Sequence, residues 1–494
     1  MKELKLQGLG PLGPPDGSIE VAPLTILIGK NGCGKSYTGM TFHSLFASEP
    51  SERVSRATNE LPEEFDETLH EKLDNIYSEL INTGEADIDN SIFNKILDKY
   101  YENIFVQSIE EKLRETFATE LSDILSVNRD KIVIQFDTEF GPLKMGYFEG
   151  WGELRIDKSP NIKESIVINA VSLDSSEELK AIEKNDERVR FNIIENYLNL
   201  ANPFSSDDGS SEKKINDLIR ALMLSVEFIH FENAYEDCYY LPAPRAGFLE
   251  SHDILAAGAF NIVSNAGIEE IQVPEFSGAV SSYLTQVASI SQSDEKTELS
   301  DLAENFEKEV MGGKVKVSPS DDEPQPDITF NQYGEEFPFY LTSTGMSEIA
   351  PLTLFTKYKL EQYSTIVIEE PEAHLHPENQ KKVAQFITKL INNGVRVIVT
   401  THSDFFIEQL SNLVRLSGVS EESIKQSGLE DLPPLEPEDV SINMFYHDEG
   451  PEYLPESLEV NQFEGIPMDQ FEKVGNELYG QTHKIANLVN KEQM

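Results

Sequence analysis

Apolar positions along the chain switch between two periods, and the switches mark out its elements. From Ser18 to Gly29 the sequence alternates and then condenses into the run LTILIG, which predicts a buried strand. Residues 29–47, GKNGCGKSYTGMTFHSLFA, are a glycine-rich turn running into a helical pattern, so the order is strand, loop, helix. Between about Ser51 and Phe231 the character changes. Leu61 to Val127 carries acidic amphipathic stretches such as PEEFDETLHEKLDNIYSELI and SIEEKLRETFATELSDIL, with apolar residues at helical spacing. Lys131 to Ser172 predicts strands (KIVIQF, LKMGYF, ELRID, SIVINAVSL), and Glu177 to Leu200 and Lys213 to Phe231 predict helices on either side of the polar loop NPFSSDDGSS. This block reads as an insertion. Its heptads are too short and irregular for a long coiled-coil arm, which predicts a compact lobe of helices and sheet.

A core-like pattern resumes at CYYLPAPRAGF, Cys238 to Phe248, and helical spacing continues through Leu302 to Val310. The polar stretch SPSDDEPQPD, Ser318 to Asp327, predicts a mobile surface loop. After Ser420 the chain turns acidic and proline-rich, then offers a strand pair around INMFYHD and SLEVNQF and a final helix from Pro467 to Val489. The expected division is therefore a first core part at 1–50, the insertion lobe at 51–231, a second core part at 232–420, and an acidic tail with short strands and a helix at 421–494. No repeat of solenoid or propeller period interrupts it.

Composition narrows the function classes. Across 494 residues, 40 lysines and arginines oppose 88 aspartates and glutamates, a formal charge of −48. Such a surface repels nucleic-acid phosphates and anionic lipids unless basic groups gather in one place. With 39% hydrophobic residues the chain still holds enough apolar material for large cores. The charge fits either adaptation to a salt-rich cell or an acidic protein of an ordinary one. Two cysteines, Cys33 and Cys238, make no disulfide framework and fit a reducing compartment. The start MKELKLQGLGPLG lacks the apolar core of a signal peptide, and the longest low-polarity run, Ile254 to Val263, is too short to span a bilayer. A cytoplasmic location and no membrane partner are expected.

Four segments carry chemistry. GKNGCGKS, comprising Gly29, Lys30, Asn31, Gly32, Cys33, Gly34, Lys35 and Ser36, matches G-x-x-x-x-G-K-[ST]. Its glycines let backbone N–H groups turn toward phosphate oxygens, Lys35 would reach the β and γ phosphates, and the Ser36 hydroxyl would ligate Mg²⁺. In STIVIEEPEAHLHP, Ser364 to Pro377, a short apolar strand ends in Glu369 and Glu370. One carboxylate there would hold the Mg²⁺ shell while the next deprotonates an attacking water. One helix further on, the strand VRVIVTT ends in His402, whose ring would meet the γ phosphate or that water. In YLTSTGMSEIAPLTLF, Ser343 and Gly345 resemble the signature loop of ATP-binding-cassette proteins, where a serine hydroxyl and a glycine N–H at a helix start hold the γ phosphate bound by the opposite subunit. Taken alone, the Thr-Ser-Thr-Gly turn is an ordinary helix cap.

Taken together, the order GKNGCGKS, TSTGMSEIAPL, IVIEEPEAHLHP and VIVTTHS resembles the ABC-type ATPase domain of the overcoming-lysogenization-defect family and its relatives among recombination and SMC-like ATPases. The resemblance covers the first 47 residues and roughly Cys238 to Arg415. It implies an α/β fold, an ABC-type P-loop NTPase core with a large helical and sheet insertion. It also implies ATP and Mg²⁺ as ligands, and a homodimer closing around ATP. Glu369 stands where the broader pattern has aspartate, and Thr344 and Met346 stand where transporter cassettes often have glycine and glutamine. No glutamine fits the glutamine loop: Gln135, Gln272 and Gln332 are each poor candidates. LPAPRAG, Leu241 to Gly247, is similar to a segment these proteins carry, which leaves Arg245 either near the nucleotide or bonded to acidic neighbours. His376 falls either in the loop that meets the partner's site or simply at a helix start. The 75 or so residues after Gly418 lack the acidic triad of the nuclease domain that many relatives carry. Three uses of the ATPase cycle stay open: driving or gating a separate protein effector in a defence or toxin-type system, DNA repair or chromosome maintenance, and a slowly hydrolysing nucleotide-gated scaffold. Acidity disfavours DNA as the direct ligand.

Overall fold

The computed structural model describes residues 2–13, 17–47, 67–125, 129–138, 141–148, 150, 152–159, 165–171, 182–184, 188–194, 211–230, 238–250, 276–290, 296–318, 327–447 and 452–492. Its centre is a six-stranded sheet in the order Cys238–Leu241, Thr365–Glu369, Arg396–Thr401, Leu24–Gly29, Val440–His447, Tyr453–Leu458. The first five strands are parallel and the last is antiparallel to its neighbour. Burial on both faces explains why these strands read as continuous apolar runs rather than alternating ones. Successive side chains nonetheless part to opposite sides: Leu27, Val367 and Ile398 enter one core, while Ile26, Ile28, Ile366, Ile368, Val397 and Val399 enter the other. The helix Lys35–Phe46 supplies Phe42, Leu45 and Phe46 to the first core. The helices Thr344–Tyr358, Pro377–Asn392 and Asp404–Ser417 cover the second. A sheet with helices on both faces is the α/β layering the sequence predicts.

Two strands come from unexpected places. Val440–His447, in the acidic tail, pairs with the phosphate-loop strand over six residues, from Val440 opposite Leu24 to Phe445 opposite Gly29. Glu3–Gln7 pairs with Lys131–Thr138, so the strands Lys131–Thr138, Gly141–Phe148 and Leu154–Lys158 extend an antiparallel sheet begun at the start of the chain. The helices Glu67–Thr83, Asn90–Tyr100, Val106–Phe117 and Ser211–His230 follow the predicted helical spacing. The helix expected over Glu177 to Leu200 is corrected: its described residues form the strands Ile182–Lys184 and Arg188–Ile194. RVRFNI alternates polar and apolar residues, and a parallel ladder with Ser165–Val171 overrides the helical reading. Residues 319–326 of the predicted surface loop, the low-polarity run 254–263 and the polar loop 202–210 lie outside the described residues. No helix among the described residues is long and apolar enough to cross a membrane.

The helix Lys35–Phe46 buries a histidine. The His43 ring lies 5.6 Å from the Tyr240 ring at a tilt of 58°, and its Nδ1 has no hydrogen-bond partner. Burial, assisted by the charge of Lys112, pushes its pKa down to about 3. Because the folded value lies below the unfolded one, the unfolded chain takes up this proton first, and stability falls as pH drops below about 6.5. His43→Leu is expected to flatten the dependence of unfolding free energy on pH between about 6 and 4 by one proton, roughly 1.4 kcal/mol per pH unit. Denaturant titrations of both proteins across that range check it; equal slopes would refute a neutral buried imidazole.

Candidate active site

Parallel register brings the chemistry to one edge. Glu369 lies opposite Thr400, Thr401 opposite Ile28, and Gly29 ends the neighbouring strand, so three segments remote in sequence finish side by side at the carboxyl end of the sheet. That edge is where open α/β sheets bind ligands. The strand Leu24–Gly29 passes through the turn 30–34 into the helix starting at Lys35. Gly34 closes the turn with φ 101°, and a Cβ there would lie 2.7 Å from Leu12 Cδ2. Gly32, at φ 76°, would meet nothing within 4 Å, so its side of the turn is open. The first N–H groups of the helix Lys35–Phe46 lack partners within the helix, which favours an anion at this point. Lys35 is buried and folds back, donating from Nζ to the Gly29 and Lys30 carbonyls at 3.0 Å each. Burial lowers its pKa, while Cys33, Glu370 and Glu369 oppose the shift. The Cys33 thiol is pushed up by its own burial. Ser36 follows on the helix and is exposed.

Glu369 ends its strand buried. Its Oε2 accepts from the Ala243 N–H at 3.0 Å, and its Oε1 has no hydrogen-bond partner. Glu370 then turns into the left-handed region at φ 44°, with its N–H donating to Thr400 O at 2.9 Å. This unusual backbone leaves the carboxylate 42% exposed, with Oε1 3.9 Å from His402 Nε2. Burial lowers the His402 pKa, Lys35 lowers it further and Glu370 opposes, so the imidazole is neutral near pH 7. Lys35, Glu369, Glu370 and His402 therefore share one field. Reading the sequence alone misses Glu372. It is buried, and its Oε1 accepts from Thr401 Oγ1 at 2.6 Å and from the His402 N–H at 2.8 Å, which fixes the backbone that carries His402. Its place two residues after Glu370 was the available signal, masked by the general acidity of the chain.

Arg245 is bonded to acidic neighbours, chiefly through their backbone. The side chain is 1% exposed. Nη1 donates to Glu369 O at 2.6 Å and to Pro242 O at 3.3 Å, Nη2 to Glu370 O at 3.0 Å, and Nε to Glu348 O at 3.0 Å. The Glu348 carboxylate completes the set, 3.2 Å from Nε. Ser343 is the exposed cap residue of the helix Thr344–Tyr358, and its hydroxyl caps no N–H. A Cβ on Gly345 would lie 3.3 Å from Leu375 Cδ2 and 3.4 Å from His374 O, so the helix start packs on the loop after Glu370. Among the described residues, no hydrogen bond or ion pair joins Ser343 or Gly345 to Lys35, Glu369, Glu370 or His402. His376 caps the helix Pro377–Asn392, accepting from the Glu378 N–H at 3.3 Å. Gln135 lies in the antiparallel sheet and Gln332 donates weakly to Gly312 O, while Gln272 lies outside the described residues.

The donor set suits Mg²⁺. Glu369 Oε1 is a buried carboxylate oxygen in need of a partner, and Ser36 offers a hydroxyl at the head of the facing helix. No group of three or more histidine, cysteine or acidic side chains that could hold a metal occurs among the described residues. Mg²⁺ usually takes only one or two protein side chains, with substrate phosphates and waters supplying the rest.

No curated protein matches the chain. Among solved structures, it is similar to an SMC head bound to the C-winged helix domain of ScpA, at 12% identity and TM-score 0.37 over 93% of this chain and 97% of that one. A second is the SMC head domain from Thermotoga maritima, at 10% identity and TM-score 0.32 over 93% and 99%. A third is an SMC head with an extended coiled coil bound to the C-terminal domain of ScpA from Pyrococcus furiosus, at 12% and TM-score 0.36 over 97% and 99%. The family model for an AAA ATPase domain matches residues 3–407, a span that includes the phosphate loop, the paired glutamates and the strand-end histidine. The chain belongs to the AAA ATPase domain family.

Proposed function

We propose that the protein binds ATP with Mg²⁺ and hydrolyses it at a composite site completed by a second copy. The observation that carries this reading is Glu370 at the sheet's carboxyl edge, its carboxylate partly open and 3.9 Å from a neutral His402, within the field of Lys35. Residues 29–36 wrap the phosphates with backbone N–H groups. Lys35 exchanges the Gly29 and Lys30 carbonyls for phosphate oxygens, trading neutral acceptors for charged ones. Ser36 and Glu369 are the residues that would hold Mg²⁺, which when bound neutralises phosphate charge. Glu370 orients and deprotonates the attacking water, and His402 steadies it or the γ phosphate through its ring N–H. The exposed Ser343 hydroxyl and the start of its helix suit an anion arriving from outside the chain, which supports assigning Ser343 and Gly345 to the partner's nucleotide.

The work done by the cycle follows from the motif resemblance: driving or gating a separate protein effector in a defence or toxin-type system. A net charge of −48 keeps DNA repair as the weaker reading. Isolation of the Glu370→Gln protein with ATP from its native host, followed by identification of the proteins and nucleic acid that come with it, separates the two. A bound protein effector supports the first, and bound DNA without one contradicts it.

Glu370→Gln is expected to lower turnover by about 100-fold or more while trapping an ATP-bound dimer. Phosphate release and sedimentation with ATP check it, and wild-type turnover would refute the role of Glu370. Lys35→Ala and Ser343→Arg should each be inactive alone. Mixed, they form heterodimers in which one site carries both defects and the other neither, so roughly a quarter of wild-type activity should return if sites act independently. Absence of any recovery would count against sharing of sites between copies.

A further inference from the structure

The signature helix and the catalytic turn are joined by one buried cation. Arg245 opens the short helix Arg245–Glu250 that follows the edge strand Cys238–Leu241, and it reaches 103 to 125 residues along the chain to Glu348, Glu369 and Glu370. Two of its bonds end on the carbonyls of Glu369 and Glu370, the two residues between which the backbone leaves the strand and enters the left-handed region. A side chain other than glycine does not hold such a conformation unless its surroundings impose it. The carbonyl of Glu370 also accepts from the Ala373 N–H at 3.0 Å, and its N–H is held by Thr400, so the residue is gripped from three elements. The other end of the guanidinium meets both the carbonyl and the carboxylate of Glu348, one turn into the helix capped by Ser343. Glu348 is 3% exposed and lies 3.9 Å from His374 Nε2 in the loop after the glutamates. Arg245 itself is held from behind, its carbonyl accepting from the buried Tyr283 hydroxyl at 3.3 Å.

We propose that Arg245 is the positioning residue for Glu370, and that through Glu348 it transmits displacement of the helix Thr344–Tyr358 to the catalytic turn. Because the fully buried guanidinium touches neither the phosphate loop nor Ser36, its loss should slow the chemical step rather than weaken nucleotide binding. Arginine's planar fork serves several acceptors at fixed angles, which a lysine ammonium cannot reproduce. An engaged signature helix would thus reach Glu370 through two buried side chains, coupling the partner's nucleotide to hydrolysis in the same protomer.

This inference rests on Glu370 acting as the hydrolytic base, and the Glu370→Gln protein serves as the control for that premise. Steady-state phosphate release, melting temperature and affinity for a fluorescent ATP analogue should be measured for Arg245→Lys, Glu348→Gln and the double variant. Arg245→Lys is expected to lose about 100-fold in kcat with nucleotide affinity kept within about threefold. Glu348→Gln, which keeps the backbone bonds but drops the charge, should lose about tenfold. In the double variant the loss should equal that of Arg245→Lys alone, as for groups acting in one chain. Wild-type kcat in Arg245→Lys overturns the positioning role, and so does a loss that tracks a fall in folded fraction and affinity. Losses that multiply in the double variant overturn the link through Glu348. Wild-type turnover in Glu370→Gln would instead discard the premise.

Discussion

Everything at the site depends on the parallel ladder joining Leu24–Gly29, Arg396–Thr401 and Thr365–Glu369. Parallel pairing needs a crossover between strands, so each strand hands its end to a loop on the same edge. Here the three ends carry the phosphate loop, His402 and the paired glutamates. A one-residue slip of Thr365–Glu369 would exchange the faces of Ile366, Val367 and Ile368 and carry Glu370 away from His402. Apolar packing on both faces therefore fixes the geometry of a polar site. Val440–His447 covers the other flank of the phosphate-loop strand, so a segment that reads as tail is an inner strand of the main sheet.

Buried charge is the second constraint. Four carboxylates, Glu348, Glu369, Glu370 and Glu372, crowd behind and along the edge, against Lys35 and Arg245. Burial raises the pKa of Glu348 and Glu372, and specific bonds offset it: Arg245 for Glu348, and the Thr401 hydroxyl and His402 N–H for Glu372. Removing one member of such a buried pair leaves the other uncompensated, a cost of about 3–5 kcal/mol. The arrangement trades stability for placement, since an apolar replacement would serve a core but could not fix carbonyls at the glutamate turn. The chain as a whole carries a formal charge of −48, whereas this edge gathers the cations Lys35 and Arg245 among its carboxylates.

Much of this was legible in the sequence because its signals are local. LTILIG, TIVIE and RVIVTT announce buried strands, GKNGCGKS announces its turn, and the residues following each strand announce the site. What stayed hidden depends on long-range contact. Arg245 could be placed only as near nucleotide or near acids, since its partners Glu348, Glu369 and Glu370 lie over 100 residues away. Glu372 was lost among 88 acidic residues. Pairing of Glu3–Gln7 with Lys131–Thr138 and the parallel ladder holding Arg188–Ile194 leave no trace in spacing, because any strand with alternating apolar residues offers the same edge.

Hydrolysis at this edge, beyond the holding of nucleotide, is what the proposed roles of Glu370 and His402 require. Phosphate released from γ-labelled ATP by the purified wild-type chain, with Mg²⁺ and again with excess chelator, tests it most directly. Repeated turnover is expected with Mg²⁺, stopping when the ion is removed. Tight ATP binding with no phosphate released in either condition would contradict it.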